Sequence, residues 1–168
     1  FYTKEFPEAK IIYQLNFDEI KEFVFNQTVR IDTSKKMKKN GKNIPFNGCI
    51  VLDDCLQSSG NWMDNPIISE LFFNSRHYGI TFIVVMQFPM SIRPELRCNF
   101  DYVFLMNEDF YSNQKRLYDH YGGMFPTFDL FRNTFSQLTT DFGSMVIVNR
   151  GANPSLTEKV FWYKADNN

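Results

Sequence analysis

Cysteine is scarce in this sequence. Cys49, Cys55 and Cys98 are the three present. Their odd number and lack of metal-type spacing exclude a disulfide framework and point to a reducing, intracellular compartment. A charge excess of one sign is missing too. The 18 Lys and Arg residues against 19 Asp and Glu leave a formal net charge of −1. That excludes a basic footprint over the whole chain, while leaving room for a local basic patch. Long hydrophobic runs are absent. The longest clean one, Ile80 to Met86, is far too short to cross a bilayer, so no membrane span is expected. No secretory signal opens the chain. The two histidines, His77 and His120, have no partner ligands at metal-binding spacing. There is no internal repeat or low-complexity tract. The glycosylation-type triplet Asn26-Gln27-Thr28 falls in an expected helix of an intracellular chain and reads as coincidence.

What is present is apolar residue, 43% of the chain, including 19 phenylalanines among 168 residues. This fits one domain with a sizeable core. Two apolar runs stand out, Cys49 to Leu52 and Ile80 to Met86. Unbroken runs of this length predict strands buried on both faces, as in a parallel sheet with helices on each side. Between them, Asn65 fits a helix cap, Pro66 the first helical position and Gly79 the site just past the end, with Ile68, Leu71, Phe72 and Ser75 on one face. Together they predict a β-α-β unit with a right-handed crossover.

Other elements are signalled less strongly. Lys10 to Leu15 reads as a short strand, and Asn16 with Glu19 as a capping box opening a helix. Lys35 to Lys42 reads as a cationic loop, and Gln57 to Asn61 has loop chemistry. A loop rich in Pro and Arg follows Gln87, then a strand from Asp101 to Met106. Helices are expected near Phe110 to Tyr121 and Phe128 to Leu138, broken by Gly122-Gly123 and Pro126. Ser144 to Val148 and Lys159 to Lys164 read as late strands, separated by a turn from Asn149 to Ser155.

Both apolar runs end in polar residues. The first ends in Asp53-Asp54 and the second in Gln87. In open α/β sheets, ligands bind at the carboxyl ends of the strands. Transfer of a phosphoryl group needs Mg²⁺, a placed water and positive charge. A carboxylate at a strand end, Asp53, suits hydrated Mg²⁺, and Asp54 beside it suits a general base toward the attacking water. Gln87 can hold that water or sense the γ-phosphate, because an amide donates and accepts hydrogen bonds without charge. Adjacent strand residues point to opposite faces, so this assignment requires Asp54 to lie where the strand already bends. The competing reading is that Asp-Asp opens a turn and the glutamine is a solvated strand end.

Val51-Leu52-Asp53-Asp54-Cys55-Leu56 resembles the Walker B segment of the DNA-packaging ATPases of nucleocytoplasmic large DNA viruses, the poxvirus-type branch of the FtsK/HerA superfamily. Asn74-Ser75-Arg76-His77-Tyr78-Gly79-Ile80-Thr81 looks like that family's Arg-His motif before the sensor strand, and Val85-Met86-Gln87 like the sensor strand. Pro94 to Leu105 is similar to the segment after the sensor, and Val160-Phe161-Trp162-Tyr163-Lys164-Ala165 to the last strand. The resemblance runs from about Asn47 to Ala165. It implies a P-loop NTPase-like fold of RecA/FtsK-HerA type, a mostly parallel sheet flanked by helices. Residues 1–168 would then be a single partial ATPase domain, from Walker B to the C-terminal strands.

The function implied is ATP-driven translocation of double-stranded DNA into a capsid by a homo-oligomeric ring, at a viral assembly site in the host cytoplasm or on the virion. ATP and Mg²⁺ are the implied cofactors. Asp53 would hold Mg²⁺, Asp54 would be the catalytic carboxylate, Gln87 the sensor, and Arg76 an arginine finger acting on the neighbouring subunit's ATP. Arg97 is a second arginine candidate, with an ion pair or a DNA phosphate contact as its competing roles. One departure is large. The glycine-rich phosphate loop with its Lys and Ser/Thr is absent, and Gly41-Lys42-Asn43 lacks the required flanking residues. The expectation is that this loop precedes Phe1 in a longer protein, and that the 168 residues alone do not hydrolyse ATP. The alternatives are a non-catalytic ring-building or capsid-docking module, or another FtsK/HerA-type DNA pump.

Several residues keep two readings. Lys38 and Lys39 could contact DNA phosphates or form a solvated segment. Arg93 could reach phosphate or be a surface charge. Phe125, Phe128, Phe131 and Phe135, near helical spacing, read as core or subunit interface rather than a base-stacking platform. Neighbouring negative charge disfavours a thiolate, so Cys55 reads as inert packing.

Overall fold

The computed structural model describes residues 10–39, 47–54, 62–87, 92–151 and 155–166. Cys55, the loop at 57–61, residues 40–42, the segment 88–91 and the middle of the turn at 152–154 lie outside them. The protein is α/β, with helices packed on two small sheets. Its contacts divide into two compact units, residues 1–89 and 90–168.

In the first unit, helix α1 (Phe17–Lys39) begins as its sequence predicts. The Asn16 carboxamide oxygen accepts from the backbone N–H groups of Asp18 at 3.0 Å and Glu19 at 3.3 Å. Ile20, Val24, Gln27, Ile31 and Ser34 make its buried stripe. The helix is longer than expected. Lys35 to Lys39 are its last turns and not a loop, and cations there complement the carbonyl end of the helix dipole. Residues 10–15 are not a strand. Apolar content alone cannot make one where no neighbouring ladder is available. Lys10 instead reaches Glu19 at 2.5 Å, a contact that raises the lysine pKa through its hydrogen bond and charge.

Strand β1 (Gly48–Asp53) pairs in parallel with β2 (Ile80–Val85), in register Gly48 to Ile80 through Asp53 to Val85. Helix α2 (Pro66–Asn74) connects them. Asn65 caps it by accepting from Ile67 N–H at 3.1 Å, and Pro66 fills the first position. Replacing Asn65 with Ala should lower stability by about 1 kcal/mol, read as a shifted urea midpoint at unchanged slope; an unmoved midpoint would show the cap contributes nothing. Ile67, Ile68, Leu71 and Phe72 are buried, and Phe72 meets Phe82 of β2 edge-on at 5.3 Å. Gly79 does not directly follow the helix. The chain makes further turns from Ser75, and Gly79 closes them at φ 58°, a value glycine adopts without Cβ strain. On the same face, α1 packs so close to β1 that a Cβ on Gly48 would lie 3.0 Å from Phe23.

The expectation of burial on both faces is corrected. Opposed residues share a face, so Ile50 and Leu52 lie with Phe82 and Val84 on the inner side. Val51, Ile83 and Val85, on the other side, are 44%, 42% and 47% exposed. An apolar run reports affinity for burial, whereas coverage depends on which elements pack there.

The second unit begins with a single helical turn, α3 (Pro94–Arg97), in a segment expected to be loop. Strand β3 (Tyr102–Leu105), helices α4 (Tyr111–Tyr121) and α5 (Phe128–Leu138), and strand β4 (Ser144–Val148) follow their sequence signals closely. A further helical turn, α6 (Leu156–Lys159), precedes β5 (Val160–Tyr163). The sheet order is β3-β4-β5, and both pairings are antiparallel. A mostly parallel sheet is therefore not what the described residues form: one pairing is parallel and two are antiparallel. Two helices in succession carry the chain back to the end of the sheet it left, which sets β4 against β3. The β4–β5 connection is shorter than a parallel crossover needs. The core here is Leu105, Leu117, Tyr121, Phe125, Phe131, Phe135, Met145 and Ile147. The phenylalanine stretch thus resolves to core: Phe131 stacks on Phe135 at 5.6 Å and meets Phe125 edge-on at 5.3 Å.

Candidate functional site

The parallel register brings the two polar strand ends together. Asp53 is the last residue of β1, opposite Val85 at the end of β2. The ladder extends one step further, through a bond from the Asp54 N–H to the Val85 carbonyl at 3.0 Å. Asp54 then leaves strand geometry at φ 46°. Aspartate is among the few non-glycine residues that enter this left-handed region readily. The bend breaks the alternation of side-chain direction, so both carboxylates can serve one edge. Gln87, two residues past β2, donates from Nε2 to Asp54 Oδ2 at 2.7 Å. All three residues are exposed. The sequence expectation on which the chemistry depends, carboxylates and glutamine at one end of adjoining parallel strands, describes this arrangement.

The hydrogen bond fixes one oxygen of Asp54 and leaves the other free to accept from a third group. A bond from a neutral donor to a carboxylate is charge-assisted and short. It also orients the amide, so that the Gln87 oxygen points away from the carboxylate. The edge therefore carries two carboxylates, Asp53 and Asp54, and the Gln87 carboxamide, all on exposed residues. Among the described residues no group of three or more His, Cys, Asp or Glu forms a metal cage. The donor set fits a hard cation that keeps several waters, such as Mg²⁺, which one or two carboxylates and a substrate's phosphates can hold.

The other candidates lie elsewhere. Arg76 sits in the turns before β2, where its carbonyl accepts from Gly79 N–H at 3.1 Å. The strand runs from Ile80 to Val85, which places Arg76 roughly 17 Å of strand away from the carboxylates, at the opposite end of the sheet. His77 lies in the same turns. Arg93 pairs with Glu95 at 3.1 Å. Lys38 and Lys39 belong to the last turn of α1, not to a loop. Arg97 is in the second unit, its guanidinium 5.9 Å from the centre of the Tyr121 ring. Cys49 and Cys98 are free thiols, and burial pushes the Cys49 pKa up. No helix of the described residues is long and apolar enough to cross a membrane.

No family model matches the chain. Among curated proteins it is 39% identical over 165 residues to "Uncharacterized protein L437" of Acanthamoeba polyphaga mimivirus, covering 98% of this chain and 58% of that protein. It is 30% identical over 166 residues to "Uncharacterized protein 088R" of Invertebrate iridescent virus 3, covering 98% and 59%. "Uncharacterized protein 075L" of Invertebrate iridescent virus 6 is 29% identical over 171 residues, covering 98% and 60%. The chain thus spans just under three-fifths of the length of the viral relatives it matches, with sequence similarity along nearly all of its own.

Proposed function

We propose that this chain is the Walker B to C-terminal portion of a P-loop ATPase that moves double-stranded DNA into a viral capsid. The observation that carries the reading is the Gln87–Asp54 hydrogen bond at the carboxyl ends of the parallel strands, beside Asp53. Asp54 accepts the proton of a water as its oxygen attacks the γ-phosphorus. The bond from that phosphorus to the β–γ bridging oxygen breaks, giving ADP and phosphate. Gln87 holds Asp54 in place and orients the water. Asp53 holds the hydrated Mg²⁺, which when bound neutralises charge on the phosphates. The reading requires a glycine-rich phosphate loop supplied from outside these 168 residues.

Arg76 cannot reach the carboxylates of its own subunit from the far end of β2. That supports action on the ATP of a neighbouring copy, which makes a ring part of the proposal. Lys38 and Lys39, at the carboxyl end of α1, are the proposed non-specific DNA contacts. The viral origin of the relatives supports a place in virus assembly.

The test is ATP turnover by a polypeptide that includes the phosphate loop. Asp53→Ala should lower Mg²⁺-dependent turnover by about a hundredfold or more, while nucleotide binding in the presence of a chelator is retained. Near-normal turnover in that variant would overturn the assignment.

A further inference from the structure

The second unit has a cleft of about 470 Å³ between α3, β3, the end of α4 and the end of β4, lined by Pro94, Arg97, Val103, His120, Tyr121 and Asn149 among others. Each of its polar side chains can donate a hydrogen bond. The Nη1 of Arg97 is fully buried and has no hydrogen-bond partner. Among the described residues, neither the His120 ring nitrogens nor the Asn149 carboxamide has a hydrogen bond. Among the described residues, no carboxylate lines the cleft. The acidic residues nearby in sequence have cations of their own: Glu95 with Arg93 at 3.1 Å, Asp101 with Arg150 at 2.7 Å, and Asp119 with Lys115 at 2.6 Å. Tyr121, beneath the guanidinium, is 8% exposed, and burial pushes its pKa up to about 12, so it stays a neutral phenol and supplies no counter-charge.

A guanidinium drawn into a wall without a counter-ion is costly, because a partly desolvated charge needs a partner. Arginine's planar fork matches phosphate oxygens, and bonds of this kind are among the strongest in proteins. The volume lies in the range of small-molecule sites and exceeds what a free ion would fill.

We infer that this cleft is a binding site for the phosphate group of a small phosphate ester, held by Arg97 with His120 and Asn149 as further donors. It lies in a different unit from the Asp53–Asp54–Gln87 edge and does not depend on the function proposed for that edge.

The experiment is a titration of the isotope-labelled chain with inorganic phosphate, ribose 5-phosphate and AMP, followed by amide chemical shifts. Saturable shifts at Arg97, His120 and Asn149 are expected. Equal affinity for ribose 5-phosphate and AMP would show that the sugar phosphate suffices, and preference for AMP that the base adds contacts; either supports the site. Arg97→Ala should weaken binding by about tenfold or more, and Arg97→Lys, which keeps the charge but loses the fork, by less. Should Arg97→Ala unfold the unit, Asn149→Ala, at an exposed position, gives a second reading, with an expected weakening of several-fold. Absence of saturable shifts with all three probes, or affinity unchanged by both the Arg97 and the Asn149 variants, overturns the inference.

Discussion

Asp54→Asn, made in a polypeptide that includes the phosphate loop, should lower ATP turnover by about 10²–10⁴-fold, the range expected for loss of a general base. Mg-nucleotide affinity and melting temperature should stay close to those of the parent. The structure makes this substitution unusually clean. Asparagine keeps an oxygen that can accept the bond now running from Gln87 Nε2 at 2.7 Å. It also tolerates φ 46° nearly as well as aspartate does. What is lost is the proton-accepting charge. Alanine at the same position is the contrast. It would lose the bond and meet the left-handed penalty of roughly 1–2 kcal/mol, so its effect on turnover would mix chemistry with folding. If the asparagine variant turned over at the parental rate, Asp54 would be a turn residue and the triphosphatase reading would lose its centre.

The second large effect is on stability. Phe131→Ala should destabilise the second unit by about 3–5 kcal/mol. Phe131 has no exposed surface and is the hub of its core: it stacks on Phe135 at 5.6 Å, meets Phe125 edge-on at 5.3 Å and contacts Tyr118 at 5.6 Å. Truncation leaves a cavity whose walls are rings held by one another, which limits collapse around it. Leu130, one position earlier on the same helix and 41% exposed, is the control. Its replacement with Ala should move the denaturation midpoint little, since surface substitutions usually stay within about ±0.5 kcal/mol. Equal losses at the two positions would mean that α5 does not present Phe131 to a packed core.

Much of this was legible in the chain. Helices α4 and α5 match their expected spans to within a residue, because their apolar spacing and the break at Gly122-Gly123 and Pro126 are local signals. The start of α1 was legible for the same reason. Its end was not: Lys35 to Lys39 read as a loop because a run of like charge looks solvated, yet a helix tolerates lysines in its last turns where the dipole favours them. The outer face of β1 and β2 was misread because Val51, Ile83 and Val85 look the same to a sequence pattern whether covered or bare. The cleft around Arg97 gave no sequence signal, since its walls come from α3, β3, α4 and the end of β4.

The order of residues alone determined where strands end in carboxylates and an amide, and which helices carry an apolar stripe, because those properties depend on neighbours a few positions away. Tertiary structure decided that β1 and β2 run parallel in a register that sets Asp54 against Gln87. It also decided that the later strands are antiparallel and that one guanidinium nitrogen of Arg97 is buried without a hydrogen-bond partner among the described residues. Those outcomes depend on pairings between segments tens of residues apart, whose energies are set by contacts that exist only once the chain has closed on itself.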